Sequence, residues 1–199
     1  MINSLKTGDP VRDDILNGAR ELFKKYGFRK TTMEDIARQI GKSKSALYYY
    51  YKTKEEICEA VVLQHMEMDH LMAVAEADKQ ESAAEKFRDF ITTILNTVRE
   101  SVNDYSLFRT EILEMPTFIQ EIATKREKYL EGFLKDVLIY GISRGEVKVM
   151  TSEQMDVWTK VIQVSFLALG SKLFYDSRVD YMMNHLDFIA DSWFSGVKK

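Results

Sequence analysis

Residues 31–56 read TTMEDIARQIGKSKSALYYYYKTKEE and predict two short helices joined by a tight turn. The apolar side chains of the first helix stop at Ile40, and Gly41 follows, where a positive φ lets a chain change direction. Ser43 comes two residues later and can cap a second helix with its hydroxyl. Helix, tight turn and helix are therefore expected to follow one another directly.

The first of these helices has two possible N-caps, and the sequence does not choose between them. Thr31 pairs with Glu34 and Thr32 with Asp35, and both pairs have the spacing of a capping box. Residues 53–56 repeat that spacing and predict the start of a longer helix directly after the tyrosines.

Four consecutive tyrosines, residues 48–51, cannot all enter one core, because successive side chains on a helix point about 100° apart. Leu47 and Tyr51 are four residues apart and share one face, which is predicted to be buried. The opposite face gathers Lys44, Ser45, Tyr48 and Tyr49. Polar and aromatic groups on that face are expected to meet water or a partner.

A short helix that presents lysine, serine and tyrosine from a helix-turn-helix has the dimensions and chemistry to enter the major groove of DNA. Lysine supplies charge, serine allows close approach, and tyrosine offers a hydroxyl to phosphate on a stiff arm. The alternative is a helical packing unit whose exposed tyrosines are incidental or cover another subunit. Charge favours DNA, because residues 1–60 carry more basic than acidic groups although the whole chain has a net charge of −3.

An amphipathic helix over residues 13–26, ended by Gly27, precedes this motif. The combined segment RDDILNGARELFKKYGFRKTTMEDIARQIGKSKSALYYYYKTKEEI, residues 12–57, is similar to the DNA-binding domain of the tetracycline-repressor (TetR/AcrR) family of bacterial transcriptional regulators. The positions that match the family pattern are Ala19, Leu22, Phe23, Gly27, Phe28, Thr31, Thr32, Ile36, Ala37, Gly41, Ser43, Leu47, Tyr48, Tyr50, Lys54 and Glu55.

The resemblance implies an all-α protein with two parts. Residues 1–53 would form an N-terminal three-helix DNA-binding domain with a helix-turn-helix, and residues 54–199 a larger C-terminal helical bundle for ligand binding and dimerisation. The partners implied are a palindromic operator in double-stranded DNA, a small-molecule effector and a second copy of the chain. No cofactor is implied.

The family pattern also assigns the DNA contacts. Phosphate contacts are expected from Thr32, Tyr49, Tyr50 and Lys54. Base contacts are expected from Lys44, Ser45 and Tyr48. The turn residues Lys42 and Ser43 complete the expected DNA-binding set. Lys42 stands where the family often has valine, which either weakens the apolar anchor of the turn or adds a phosphate contact. Ser45 stands where the family often has glycine, so the operator sequence does not follow by analogy.

Residues 54–199 place apolar side chains at helical spacing in segment after segment, and such stripes form a core far more often than a binding site. The family's larger domain nevertheless resembles a bundle with an internal cavity, and ten methionines suit an adaptable apolar pocket. The candidate lining residues are Phe87, Phe90, Ile94, Phe108, Ile112, Met115, Phe133, Trp158 and Phe166. Arg109 is a candidate anchor for a ligand carboxylate, with an ordinary surface or ion-paired arginine as the alternative.

Two helices are predicted near residues 153–175 and 180–195, and the first carries small residues among large apolar ones. Small side chains let helices approach closely, so this pair is the expected two-fold dimer interface, with intrachain core as the alternative. The candidate contacts are Ser165, Ala168, Gly170 and Ser171.

Other classes of protein lack support in the sequence. Cys58 is the sole cysteine, so an intrachain disulfide is excluded and a buried role in a reducing, cytoplasmic environment is expected. No apolar run is long enough for a membrane span, and no phosphate loop or zinc-protease motif occurs. His65 and His70 lie near Asp69 in the sequence, but they are five apart and diverge on a helix, so both histidines are interpreted as solvated and no metal is expected.

The sequence therefore predicts a ligand-responsive regulator of transcription that is not an enzyme. The most specific form of the prediction is a repressor released from a palindromic operator by a small, largely apolar effector. A transcriptional activator, a helical interaction module whose basic segment docks an acidic partner, and a helical enzyme that uses the motif for packing are the alternatives.

Overall fold

The computed structural model describes residues 8–104, 116–175 and 180–199. Every element within these ranges is a helix, apart from one antiparallel bridge between Val147 and Lys198. The helices are α1 Pro10–Tyr26, α2 Met33–Gln39, α3 Lys44–Tyr50, α4 Lys54–Ala77, α5 Ala83–Asp104, α6 Pro116–Ser143, α7 Ser152–Tyr175, α8 Asp180–Met183 and α9 Leu186–Ser195. The predicted all-α class is confirmed.

The chain divides into two compact units. The head unit comprises Met1–Met68 with Val102–Ile122, and the body unit comprises Asp69–Ser101 with Ala123–Lys199. Helices α4 and α6 contribute residues to both units. The division of the chain at residue 53 stays a prediction.

Helix α1 begins three residues earlier than its apolar pattern suggested. The Asp9 carboxylate accepts hydrogen bonds from the amides of Val11 (2.9 Å) and Arg12 (3.3 Å), and Pro10 occupies the first helical position. An acidic cap followed by proline is a strong helix start, because the carboxylate accepts from unpaired N–H groups of the first turn and proline has no N–H that needs a partner there. Gly27 ends the helix with a φ of +81°.

The structure selects Thr32 as the N-cap of α2. The Asp35 amide donates to Thr32 Oγ1 at 3.2 Å, and the Thr32 amide donates to the Asp35 carboxylate at 3.0 Å. Thr31 is not the cap, and its buried hydroxyl instead donates to the Gly27 carbonyl at 2.8 Å. The predicted turn follows at Gly41, whose φ is +65°.

Helix α3 starts at the predicted cap, since Ser43 Oγ accepts from the Ala46 amide at 3.1 Å. Leu47 is fully buried and Tyr51 is 5% exposed, so both enter the head core as expected from their spacing. That core also holds Cys58, which is fully buried. Its other buried members are Ile15, Leu16, Ala19, Phe23, Phe28, Met33, Ile36, Ala37, Ile57 and Val61.

The body core is built from the inner faces of α5, α6, α7 and α9 with the C-terminal part of α4. Its largest fully buried side chains are Phe87, Phe90, Ile91, Leu95, Leu134, Leu138 and Phe166. Glu146 binds the start of α5, because its carboxylate accepts hydrogen bonds from the Ala83 amide at 2.7 Å and from Arg144 Nε at 2.8 Å. The hydrogen bond from the Ala83 amide is the largest of the causes that lower the pKa of Glu146.

Among the described helices, none combines the length and apolar composition needed to span a bilayer. The described ranges also contain no cluster of histidine, cysteine and acidic side chains arranged to hold a metal ion.

Candidate functional site

Helix α3 presents one polar and aromatic face. Tyr49 is 79% exposed and Tyr48 is 37% exposed, and Lys44 and Ser45 are exposed beside them. The Tyr49 ring meets the Tyr50 ring edge-on at 5.2 Å. Because Leu47 and Tyr51 pack into the core on the other side of this segment, the helix that carries the exposed side chains is anchored to the head core.

Lys44 is tied to α2 by an exposed ion pair with Glu34. The hydrogen bond to the Glu34 carboxylate raises the pKa of Lys44 and lowers that of Glu34. The Lys44 ammonium also lies 5.8 Å from the centre of the Tyr48 ring. An exposed ion pair contributes little stability, so the Lys44 ammonium can leave Glu34 for a stronger hydrogen-bond acceptor at little cost in free energy.

Lys54 occupies a more constrained position. Its ammonium donates to the backbone carbonyls of Phe28 (2.6 Å) and Thr31 (2.8 Å) and lies 4.1 Å from the centre of the Phe28 ring. It thereby joins the first turn of α4 to the loop between α1 and α2. A phosphate contact by Lys54 would compete with these bonds.

The remaining residues predicted to bind DNA lie on the same continuous stretch. Lys42 is exposed in the turn, and the hydroxyls of Thr32 and Ser43 are occupied as helix caps. Tyr50 is half-buried, and its burial raises the pKa of its phenol, with nearby Asp9 acting in the same direction. The nine predicted residues thus cover the start of α2, the turn, α3 and the start of α4.

Those predicted ligand-lining residues that the structure describes fall into three groups. Phe90 and Phe133 stack with their ring centres 3.6 Å apart. Phe87 meets Trp158 at 5.6 Å and Phe194 at 5.2 Å, which forms a second ring cluster. Ile94 and Phe166 are buried in the same core. Phe108, Arg109, Ile112 and Met115 lie outside the described residues.

His70, which the sequence analysis interpreted as a solvated histidine, is half-buried among aromatic rings, and its neighbour Asp69 is buried. Asp69 is 7% exposed, and the His70 ring stacks on Tyr129 at 4.8 Å and meets Phe90 edge-on at 5.6 Å. Sequence reasoning also missed Arg126, a half-buried cation on α6 close enough to Asp69 for their charges to interact. It stands in the charged run Lys125-Arg126-Glu127-Lys128, so no signal in the sequence distinguished it from its neighbours.

The predicted dimer contacts differ from one another in exposure. Ala168 is exposed, Ser165 is half-buried and Gly170 is buried, while the side chain of Ser171 lies outside the described set. Ser165 and Ala168 line an apolar groove between α7 and α9 that also includes Phe188.

The sequence reasoning missed an exposed valine stripe on α7. Val157, Val161 and Val164 are each more than half exposed, and Phe188 on α9 is 72% exposed. Their spacing on α7, four and then three residues, places the valines on one outward face. That regular apolar spacing on a face opposite the core was the signal in the sequence.

Comparisons with known proteins agree with the arrangement of the head. Residues 15–61 match the family of bacterial regulatory proteins described as the tetR family. The chain is similar to the HTH-type transcriptional regulator UidR of Escherichia coli (strain K12), with 35% identity over 68 residues. That match covers 34% of this chain and spans 35% of the length of the relative.

Solved structures extend the likeness of fold to nearly the whole chain. A transcriptional regulator from Cytophaga hutchinsonii ATCC 33406 aligns with a TM-score of 0.74 at 21% identity, over 96% of this chain and 100% of that one. A regulator described as putative from Saccharomonospora viridis, solved in complex with choline, aligns with a TM-score of 0.65 at 16% identity, over 95% and 98%. The resemblance to the TetR/AcrR family and the helical fold predicted from the sequence are confirmed.

Proposed function

We propose that this TetR/AcrR-type chain is a ligand-responsive transcriptional repressor that binds a palindromic operator as a homodimer. The observation that carries the proposal is the exposed face of α3, where Lys44, Ser45, Tyr48 and Tyr49 stand on a helix-turn-helix within the segment that matches the tetR family. A regulator of this kind needs no catalytic group, and we propose no enzymatic activity.

The dimensions of α3 support its role as the recognition helix. An α-helix with its side chains is about 10–12 Å across, so it fits a major groove about 12 Å wide, and the seven residues of α3 form a segment of roughly 10 Å. Lys44 and Ser45 at its start would reach base edges, while Tyr49 would donate its hydroxyl to a phosphate. Lys42 adds a positive charge in the turn.

An exposed apolar surface supports the homodimer. Val157, Val161, Val164 and Phe188 place apolar side chains on the outside of α7 and α9. A contiguous apolar face is costly in water and is typical of a protein interface. A self-complementary contact here would relate two heads by a two-fold axis and would match the two-fold symmetry of a palindrome.

The body unit supports the sensing role. Its aromatic side chains and partly buried polar groups have the composition of a small-molecule site, and a regulator of the same fold has been solved in complex with choline. Helix α4 contributes residues to both units, so a ligand-dependent change in its position would reach the head. Release from DNA requires the effector to bind the conformation that does not fit the operator more tightly than the conformation that does.

The test begins with DNA binding. Fragments selected from random duplexes by the purified protein are expected to share a palindrome with half-sites about one helical turn apart. Lys44→Ala should weaken operator binding and relax preference at one position in each half-site, whereas the body variant Lys148→Ala should bind like wild type. Absence of duplex binding at low salt, or equal effects of the two substitutions, would contradict the proposal.

A further inference from the structure

A polar contact joins α1 to α4 within the head unit. Arg20 on α1 donates from Nη2 to the side-chain carbonyl of Gln64 on α4 at 2.6 Å, and from Nη1 to that of Asn17 at 3.1 Å. Gln64 is only 7% exposed, so its end of the bond is withdrawn from water. A hydrogen bond from a charged donor is among the stronger ones, and a low local dielectric strengthens it further. This contact, which we call the Arg20–Gln64 tie, holds one point of α4 against one point of α1.

The tie is kept at a cost in free energy. Arg20 Nε is buried and has no hydrogen-bond partner among the described residues. A buried donor without an acceptor is unfavourable, and an apolar pair of similar volume would avoid that cost. The head core is formed by apolar side chains, so its stability gives no reason for an arginine at this position. What the tie adds is direction, because hydrogen bonds depend on geometry whereas apolar packing does not.

A second polar contact fixes α4 near its start. The Lys54 ammonium donates to the carbonyls of Phe28 and Thr31 in the loop that follows α1. From residue 54 to residue 64, at 1.5 Å per residue, α4 advances about 15 Å. Two separated contacts fix the direction of a rod, whereas a single contact lets it pivot. Lys54 and the Arg20–Gln64 tie together therefore set the direction of α4 relative to α1.

The direction of α4 matters for DNA binding because this helix contributes residues to both units. In a dimer that forms through the body units, it determines where each α3 is presented. Half-sites one helical turn apart are separated by about 34–36 Å, and each added base pair moves them by about 3.4 Å. A displacement of about 1 Å at Gln64, roughly 15 Å from the start of α4, changes the direction of the helix by about 4°. A loosened tie would let one dimer fit more than one half-site spacing.

Resting on the proposed binding of a palindromic operator by a homodimer, we infer that Arg20 and Gln64 are positioning residues that select the spacing of the half-sites. They act by fixing the direction of α4 against α1, and through it the position of each α3. Base preference within a half-site stays with the exposed face of α3.

A phosphate contact by Arg20 is the alternative role. Its side chain is half-buried, its Nε is buried, and both Nη atoms bond to side chains of the head, so a phosphate would compete with these bonds. The two roles differ in their consequences. Loss of a phosphate contact weakens binding to all duplexes alike and lowers the salt slope, whereas loss of a positioning contact changes the ranking of the spacings.

The test uses the palindrome selected by the purified protein and two derivatives, with one base pair inserted or removed at its centre. Wild type is expected to bind both derivatives at least about tenfold more weakly than the selected operator. Arg20→Met and Gln64→Leu should each reduce that difference to about threefold or less, while a single-base change within a half-site costs the same as in wild type. Arg20→Lys should keep part of the discrimination, because it can still donate to Gln64.

Ile15→Val is the matched control for stability. Ile15 is fully buried in the head core, so the substitution destabilises the same unit without breaking the tie. Its discrimination between spacings should equal that of wild type. Circular dichroism verifies that each variant is folded. If Arg20→Met or Gln64→Leu is unfolded, the other carries the test, together with the smaller loss expected for Arg20→Lys.

Several results would overturn the inference. These are a wild type indifferent to spacing, undiminished discrimination in the folded tie variants, an equal loss of affinity for every duplex, and a loss of discrimination in Ile15→Val of the same size. Failure of wild type to bind duplex DNA as a dimer rejects the proposed function itself. Operator binding by a dimer whose spacing preference survives both substitutions rejects only the role of the tie.

Discussion

The substitution Lys54→Met distinguishes a structural role of Lys54 in the head from a role in binding DNA phosphate. Methionine keeps much of the unbranched apolar stem but removes the ammonium from the carbonyls of Phe28 and Thr31 and from the Phe28 ring. A hydrogen bond from a charged donor contributes about 1.5–3 kcal/mol and a cation–π contact about 0.5–1 kcal/mol. The three contacts share one ammonium, so their contributions do not add fully, and we expect a loss of about 2–4 kcal/mol.

The assay is urea denaturation followed by circular dichroism, with operator binding measured across a salt series well below the melting temperature. Lys30→Met removes an exposed lysine from the same loop and serves as the control. If Lys54 acts through the backbone, the variant is less stable but its folded form keeps the wild-type salt dependence. A loss below about 0.5 kcal/mol, together with a salt slope reduced by about 1 per head, would refute the structural assignment and favour the phosphate contact.

Three further substitutions test other parts of the molecule. Tyr49→Phe should weaken binding to all DNA sequences without lowering the melting temperature, because it removes only an exposed hydroxyl. Tyr51→Ala should lower the free energy of unfolding by roughly 3–5 kcal/mol, because Tyr51 is buried. Equal losses of melting temperature in the two variants would contradict this division. Val161→Asp should yield monomers in sedimentation experiments and abolish tight operator binding, and a stable dimer would place the interface elsewhere. Thr159→Val should stabilise the ligand-free protein by about 1 kcal/mol in thermal denaturation, since it removes a buried hydroxyl that has no hydrogen-bond partner among the described residues. A loss of stability of similar size would mean that the hydroxyl does have a hydrogen-bond partner.

The local geometry of the head could be predicted from the sequence because it depends on neighbours along the chain. The cap at Ser43, the turn at Gly41 and the burial of Leu47 and Tyr51 all follow from spacings of four residues or fewer. The choice of Thr32 over Thr31 did not follow, because it depends on the hydrogen bond of Thr31 to the end of the preceding helix.

Contacts between distant residues could not be predicted in the same way. The bond from Lys54 to Phe28 spans 26 positions, and the proximity of Asp69 to Arg126 depends on how α4 and α6 pack. Helical periodicity identifies the face on which a residue lies but not the helix that this face meets. For that reason the stacking of His70 on Tyr129 was not predicted, and the burial of Asp69 and the arginine near it were overlooked.

The division of labour within α3 has a consequence for how such proteins diversify. Leu47 and Tyr51 hold the helix in the core, whereas Ser45 and Tyr49 are exposed and are not members of that core. Mutations on the exposed side can therefore accumulate without lowering the stability on which folding depends. A duplicated copy of the gene could acquire a new target site through a few such changes, while its inherited scaffold stays intact.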